Sequence, residues 1–308
     1  MKHFLSLADA TSAELDRIFD LAFELRAQRE RGEPNTPLLR HKTLEMIFEK
    51  PSLRTRVSFE QAMYELGGDA IKLGHEEIGI GKRESAADIA RVLGGMVQGI
   101  MARVFEHDKL VELAEHSAVP VVNALSDYSH PVQALADAMT MMDAFGRDLT
   151  GRTLAFVGDG NNVARSLAVM CGKIGMNFII AAPPGYDLDQ PFIESVMTSM
   201  PRMNFETTHD AHEAVHHADA IYTDTWVSMG QEQEKQQRIE TFSPYQVNAA
   251  LLGAAPDHAI VLHCLPAYRN LEITDEVIDG PRSRVFQQAH NRLHSQKGLL
   301  ALLMGEKG

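Results

Sequence analysis

Residues 43–68 read TLEMIFEKPSLRTRVSFEQAMYELGG, and the period of the apolar residues changes partway along. Thr43 to Phe48 form a short, nearly continuous apolar run, the pattern of a buried strand. EKPS breaks it. From Leu53 to Leu66 the apolar residues return at helical spacing, and Gly67 and Gly68 then end the helix. Strand, loop and helix in succession are the building unit of a parallel α/β sheet.

The unit repeats outward in both directions. Upstream, residues 12–28 predict a helix behind a Thr11 or Ser12 cap, closed by GEPNTP. Downstream, strands are expected at 70–73, 99–104 and 119–123, with helices at 85–94 and 107–116 between them. A helix over 131–145 leads into GRDLTG at 146–151, a polar, glycine-bounded stretch that marks a domain boundary. A second alternating series follows, with strands at 153–157, 177–181, 204–207, 220–223 and 260–263. The expected architecture is two open parallel-sheet α/β domains joined by long helices, with ligands at strand C-terminal ends in the interdomain cleft. Residues 1–145 form the first domain and 151–286 the second, with a terminal helix at about 287–304 packing back on the first. No solenoid repeat or low-complexity segment interrupts the pattern.

Composition fits two hydrophobic cores, since 308 residues exceed the usual span of one and 44% are apolar. A net charge of −13 argues against a nucleic-acid or membrane surface, which needs a broad basic field. Any anion must be held by a local arginine cluster. Two distant cysteines, Cys171 and Cys264, exclude a disulfide framework and fit a reducing cytoplasm. The start, MKHFLSLADATSAELDRIF, has scattered charges and no signal-peptide pattern, and no run of about 18 apolar residues occurs. The expectation is a soluble, unprocessed cytoplasmic protein.

Chemistry-bearing residues fall at the strand ends. Ser52 can cap a helix whose first turn holds Arg54, Thr55 and Arg56, so free amides, the helix dipole, hydroxyls and guanidinium groups converge on one anion. Alone, the run could equally be an ordinary cap with a solvated arginine face. Arg103 ends the strand run GIMARVF. In SHPVQ, Pro131 opens a helix and aims His130 and Gln133 out of its first turn. LAFVGDGNNVARSL, at 154–167, suggests a dinucleotide fold, but the sixth position of GxGxxG is Val163 and the next strand ends in Ala181, Ala182 and Pro183, with no acid for a ribose. A nicotinamide cofactor is therefore disfavoured. Asn161 and Asn162 suit the α-carboxylate and amine of an amino acid, and Asp224, in TDTWVSMGQE, suits a cation. In AIVLHCLPAYR, His263 and Cys264 are neighbours on a strand whose side chains alternate, so the two are not expected to serve one centre. Arg292 lies on the last helix.

SLRTR after a strand and followed by SFE, then Arg103, HPVQ, the SMG of 228–230, HCLP and Arg292, resemble the aspartate/ornithine carbamoyltransferase family in order and spacing over nearly the whole chain. The resemblance implies carbamoyl phosphate held by Ser52, Leu53, Arg54, Thr55, Arg103, His130, Gln133, Cys264, Leu265 and Arg292. It also implies ornithine held by Asn162, Asp224, Ser228 and Met229, with Met229 and Gly230 in a closing lid. Catalysis would fall to Arg103, His130, Asp224 and Cys264, with no cofactor and no metal. The family further implies ordered binding with domain closure and a homotrimer. The expected reaction carries the carbamoyl group to the δ-amine of ornithine, giving citrulline and phosphate, a step of arginine biosynthesis. A carbamoyltransferase for putrescine or an acylated ornithine, or a non-catalytic amino-acid or phosphate-binding protein, stays open. HEEIGIGKRES departs from the family: Gly79 replaces a glutamine that reaches carbamoyl phosphate from a neighbouring subunit, leaving Lys82 as a further candidate. Arg165 and Tyr268 also differ from common family choices.

Overall fold

A computed structural model describes residues 1–227 and 232–305. The chain divides into two compact units. The first comprises Met1–Ala136 and the residues from His290 onward, and the second Asp137–Ala289. The division therefore passes through the helix Pro131–Phe145, upstream of GRDLTG, and again through the last helix, Val285–Met304. Both helices continue unbroken across it, because neither carries an internal proline or glycine at the crossing that would end it.

The first unit holds a four-stranded, wholly parallel sheet in the order β2-β1-β3-β4. Its strands are β1 (Thr43–Phe48), β2 (Asp69–Gly74), β3 (Gly99–Arg103) and β4 (Val121–Leu125). β4 begins two positions later than the apolar run suggests, directly after Pro120, which has no amide to give the ladder. The β3–β4 register shifts between Ala102 and Arg103, an irregularity of the kind that re-aims a side chain at a strand end. The helix Leu53–Glu65 buries Thr55, Ser58, Phe59, Ala62 and Met63 on one face. Gly67, at φ +79°, closes it, with the Gly68 amide donating to the Met63 carbonyl at 2.9 Å. That left-handed turn favours glycine. On the sheet's other helical flank, Ile47, Ile89, Ile100, Leu110 and Leu113 belong to one buried cluster.

The second unit carries a five-stranded parallel sheet in the order β7-β6-β5-β8-β9. The strands are β5 (Thr153–Val157), β6 (Asn177–Ala181), β7 (Phe205–Thr208), β8 (Ala220–Thr223) and β9 (Ile260–His263). Ala155, Val157, Ile221 and Val261 are fully buried in its core. Gln288 ties this unit together: its carbonyl accepts the His263 amide at 2.9 Å and its amide donates to Asp137 at 2.7 Å. Among the described residues no helix is long and apolar enough to cross a membrane.

Candidate active site

In each sheet the strand order reverses at one point. β1 leads sideways to β2 and then across to β3 in the first, and β5 leads through β6 to β7 and then across to β8 in the second. Connections diverge there and leave a crevice at the strands' C-terminal ends, where α/β proteins bind ligands. The sequence places Ser52 and Arg103 at the first switch point and Asn161, Asn162 and Asp224 at the second.

In the first unit the residues read as an anion site converge. Ser52 caps the helix Leu53–Glu65, its Oγ accepting the Thr55 amide at 3.3 Å and donating to Thr55 Oγ1 at 3.1 Å. Arg292 donates from Nη2 to Thr55 Oγ1 at 3.2 Å and from Nη1 to Gln133 Oε1 at 2.6 Å. Thr55, Arg103, His130, Gln133 and Arg292 are all buried. Burial holds the His130 imidazole well below its usual range, and the charges of Arg292, Arg103 and Arg54 push it further down. The ring is therefore uncharged at neutral pH, with one nitrogen to donate and one to accept. The Leu53 side chain is 74% exposed, so the group it offers to an anion is its first-turn amide. Arg56 turns outward and pairs with Glu60 at 2.9 Å.

Lys82 stays outside this cluster. It lines a surface hollow of about 280 Å³ with Arg83, Glu84, Lys109 and Glu112, to which none of the residues around Arg292 contributes. Gly79 adopts φ +54°, and a Cβ there would come within 3.1 Å of Arg83 Cβ. A glutamine at this position would be both strained and crowded, which accounts for the glycine where the resemblance leads one to expect a longer side chain.

In the second unit Asp224 is the hub. Its Oδ1 accepts the Cys264 thiol at 3.0 Å and the Thr225 amide at 2.8 Å, and its Oδ2 accepts Asn161 Nδ2 at 3.0 Å. Asn161 also caps the helix Asn162–Lys173, accepting the Val163 and Ala164 amides at 2.9 and 3.1 Å. Asn161 is thus a supporting residue that the assignment to Asn162 alone overlooks, although an asparagine between a strand and a helix is itself a capping signal. Asn162 is the first residue of that helix, beside the same switch point. Ser228 and Met229 lie outside the described residues, as does Gly230.

One expectation about HCLP is corrected. The side-chain donors of Asp224, His263 and Cys264 lie within 4.8 Å of one another, so His263 and Cys264 do share a locality. Strand alternation does not apply, because β9 ends at His263 and the chain turns through Leu265 at φ +58°. His263 is nevertheless committed elsewhere. Its Nδ1 accepts the Leu265 amide at 2.9 Å, which leaves the proton on Nε2, facing Glu272 Oε1 at 3.2 Å. A metal taking His263 would have to displace one of these bonds. Leu265, strained by its positive φ, is held in place by that same bond.

Comparison with known proteins gives a consistent answer along the whole chain. Residues 2–143 match the family described as aspartate/ornithine carbamoyltransferase, carbamoyl-P binding domain, and residues 150–303 match its Asp/Orn binding domain. An ornithine carbamoyltransferase of Anoxybacillus flavithermus is 47% identical over 98% of this chain and 96% of its own. One of Methanopyrus kandleri is 46% identical over 98% and 97%. The solved ornithine carbamoyltransferase of Pyrococcus furiosus superposes with a TM-score of 0.96 at 46% identity, covering 100% of this chain and 98% of that one.

Proposed function

Because the chain belongs to the aspartate/ornithine carbamoyltransferase family, we propose that it transfers the carbamoyl group of carbamoyl phosphate to the δ-amine of L-ornithine, releasing L-citrulline and phosphate. The observation that carries the reading is the convergence of Arg292, Thr55 and Gln133 on the capped helix start behind β1. It is a preformed dianion site in a chain whose net charge is −13.

Carbamoyl phosphate carries its phosphoryl group on a carbonyl carbon. Ser52, Arg54, Thr55 and Arg103 hold the phosphate, the amide of Leu53 adds a donor, and Arg292 keeps Thr55 and Gln133 in place. The neutral δ-amine attacks the carbonyl carbon, and a C–N bond forms as the carbonyl electrons move to oxygen. Thr55, Arg103 and His130 face that oxyanion, and loss of one such donor costs about 3 to 4 kcal/mol. The intermediate collapses, the C–O bond to phosphate breaks, and the proton given up by the attacking nitrogen passes to the departing oxygen, so that phosphate leaves as the hydrogen phosphate dianion. An uncharged His130 suits this role, since a donor from a neutral ring stabilises the oxyanion without competing for the phosphate.

The acceptor reading rests on the second unit. Asp224 is fixed by Cys264, Asn161 and the Thr225 amide, which orients its carboxylate toward an incoming ammonium or amine. Asn162, Ser228 and Met229 complete the ornithine ligands, and Cys264 and Leu265 border the carbamoyl group. A drier environment lowers the amine's pKa and frees its lone pair.

Three copies assemble through the first unit. Leu53, Val57 and Tyr64, on one face of the helix Leu53–Glu65, are 74%, 54% and 76% exposed, an apolar stripe suited to another copy. The two free thiols, Cys171 and Cys264, fit work in the reducing cytoplasm.

The test is turnover with carbamoyl phosphate and, separately, ornithine, putrescine, N-acetylornithine and aspartate, scoring the ureido product. Ornithine is expected to be the best acceptor. A higher kcat/KM with any of the others would overturn the assignment.

A further inference from the structure

β4 is an edge of the first sheet, and the chain covers that edge with its own opening residues. Phe4, fully buried, lies beside Val122 in parallel register: its amide donates to the Val121 carbonyl at 2.8 Å, and its carbonyl accepts the Asn123 amide at 2.8 Å. His3 Nδ1 accepts the Val121 amide at 3.1 Å. The pairing ends after Leu5, because Asp9 Oδ2 draws the Leu5 and Ser6 amides to itself at 2.7 and 2.8 Å and starts a short 3-10 helix, Leu7–Asp9. Turned in this way, the Leu5 carbonyl meets side chains at and beyond the end of β4. It accepts Asn123 Nδ2 at 2.8 Å and Ser129 Oγ at 3.2 Å, and Nδ2 also donates to Ser129 Oγ at 2.9 Å. Asn123 and Ser129 are both buried, and the next residue is His130.

Ser129 is held at each of its polar groups. Its carbonyl accepts the Ser126 amide at 3.0 Å, its amide donates to Ser126 Oγ at 3.3 Å, and its hydroxyl lies between Asn123 and Leu5. A residue so fixed sets the direction in which the chain enters the helix Pro131–Phe145, and Pro131 restricts the backbone of His130 between them. We propose that the segment Phe4–Asp9 is a positioning element of the carbamoyl site, acting through Asn123 and Ser129 to fix His130 where the carbonyl oxygen develops charge. The proposal rests on the carbamoyl phosphate reading above. A donor to an oxyanion is effective because it is held in place before the charge appears, and a displacement of about 1 Å can cost about a hundredfold in rate. Burial keeps the network together, since an amide such as Asn123 that lost its acceptors would be left unpaired away from water.

The full-length chain, Asp9→Ala, Asp9→Asn, Ser129→Ala and the double variant Asp9→Ala/Ser129→Ala are assayed for turnover and titrated with inorganic phosphate by calorimetry. Their imidazole NMR signals are compared, with that of His130 assigned through His130→Gln. Asp9→Ala is expected to lower kcat about three- to tenfold, the loss of about one neutral hydrogen bond, although Asp9 belongs to neither set of ligands. Ser129→Ala lowers kcat by a similar factor, and the double variant falls within about twofold of the poorer single, because both changes break one chain of contacts. KM for ornithine and the affinity for phosphate stay within about twofold, and the His130 signal moves in both single variants. Asp9→Asn, which keeps an acceptor for both amides, retains kcat within about twofold. Single losses that multiply in the double variant would overturn the proposal, as would an unchanged kcat or a His130 signal that stays in place. A wild-type chain that does not turn over carbamoyl phosphate, with the His130 signal still moving in Asp9→Ala, would instead fault the reaction and leave the positional link standing.

Discussion

Asp224 receives three donors, and Cys264 is the one whose removal leaves the fold untouched, since its side chain is only partly buried. Cys264→Ala is expected to lower kcat/KM for ornithine by about ten- to hundredfold, the equivalent of about 1.5 to 3 kcal/mol for a hydrogen bond to a charged group. Cys264→Ser keeps a donor and loses less. Steady-state kinetics across pH checks this, and an alanine variant with wild-type activity and pH profile would remove Cys264 from the site. Glu45 offers a test of a different kind. It lies on β1, 3% exposed, with Oε1 lacking a hydrogen bond, and burial raises its pKa to about 7, with Glu77 adding to the rise. A carboxyl raised from 4.5 when folded favours folding fully below that value, and stability is lost as pH rises from there through about 7. Glu45→Gln removes the titration, so its Tm should exceed wild type at pH 8 by more than at pH 5. At this scale residue type alone led to Ser52, Thr55 and Arg292, which the structure joins through hydrogen bonds to the Thr55 hydroxyl. It failed where burial decides: nothing in EKPS says that Lys50 is buried or that Arg56 points outward.

Capping serines and asparagines do two jobs here, and the helices let the two be separated. Ser52→Ala removes both the cap of Leu53–Glu65 and a phosphate ligand, and should cost about 1 kcal/mol of stability while raising KM for carbamoyl phosphate. Glycine caps nearly as well, to within a few tenths of a kcal/mol. Ser52→Gly should therefore keep most of the wild-type Tm yet share the KM defect, and thermal melts beside kinetics distinguish the two losses. β1, β5, β6, β8 and β9 were legible from sequence because each is an apolar run bounded by polar or glycine residues. β4 was displaced by Pro120. The family resemblance put Asp224 and Cys264 at one centre, but residue spacing alone did not show their hydrogen bond, because it depends on β9 stopping at His263 and on a left-handed residue that leucine rarely supplies.

At the level of the whole molecule, the apolar stripe of Leu53, Val57 and Tyr64 predicts self-association. Replacing Val57 and Tyr64 by glutamate should shift the mass seen by light scattering from three chains to one, without loss of helical circular dichroism, since neither side chain contributes to the core. The two-unit fold was readable from alternation alone, but the division through Pro131–Phe145 and Val285–Met304 was not, because a helix that belongs to two units has no punctuation at the crossing. That division makes the first unit discontinuous in sequence, and protein synthesis is directional. As the chain leaves the ribosome, Asp137–Ala289 is complete before the first unit can be, and domains that form during translation fold as their last residues emerge. Thr55 and Gln133 are made early and wait for Arg292, which follows Gln133 by 159 residues. A nascent chain stalled after Ala289 would carry a finished amino-acid half and a phosphate half that cannot close its own hydrogen bonds.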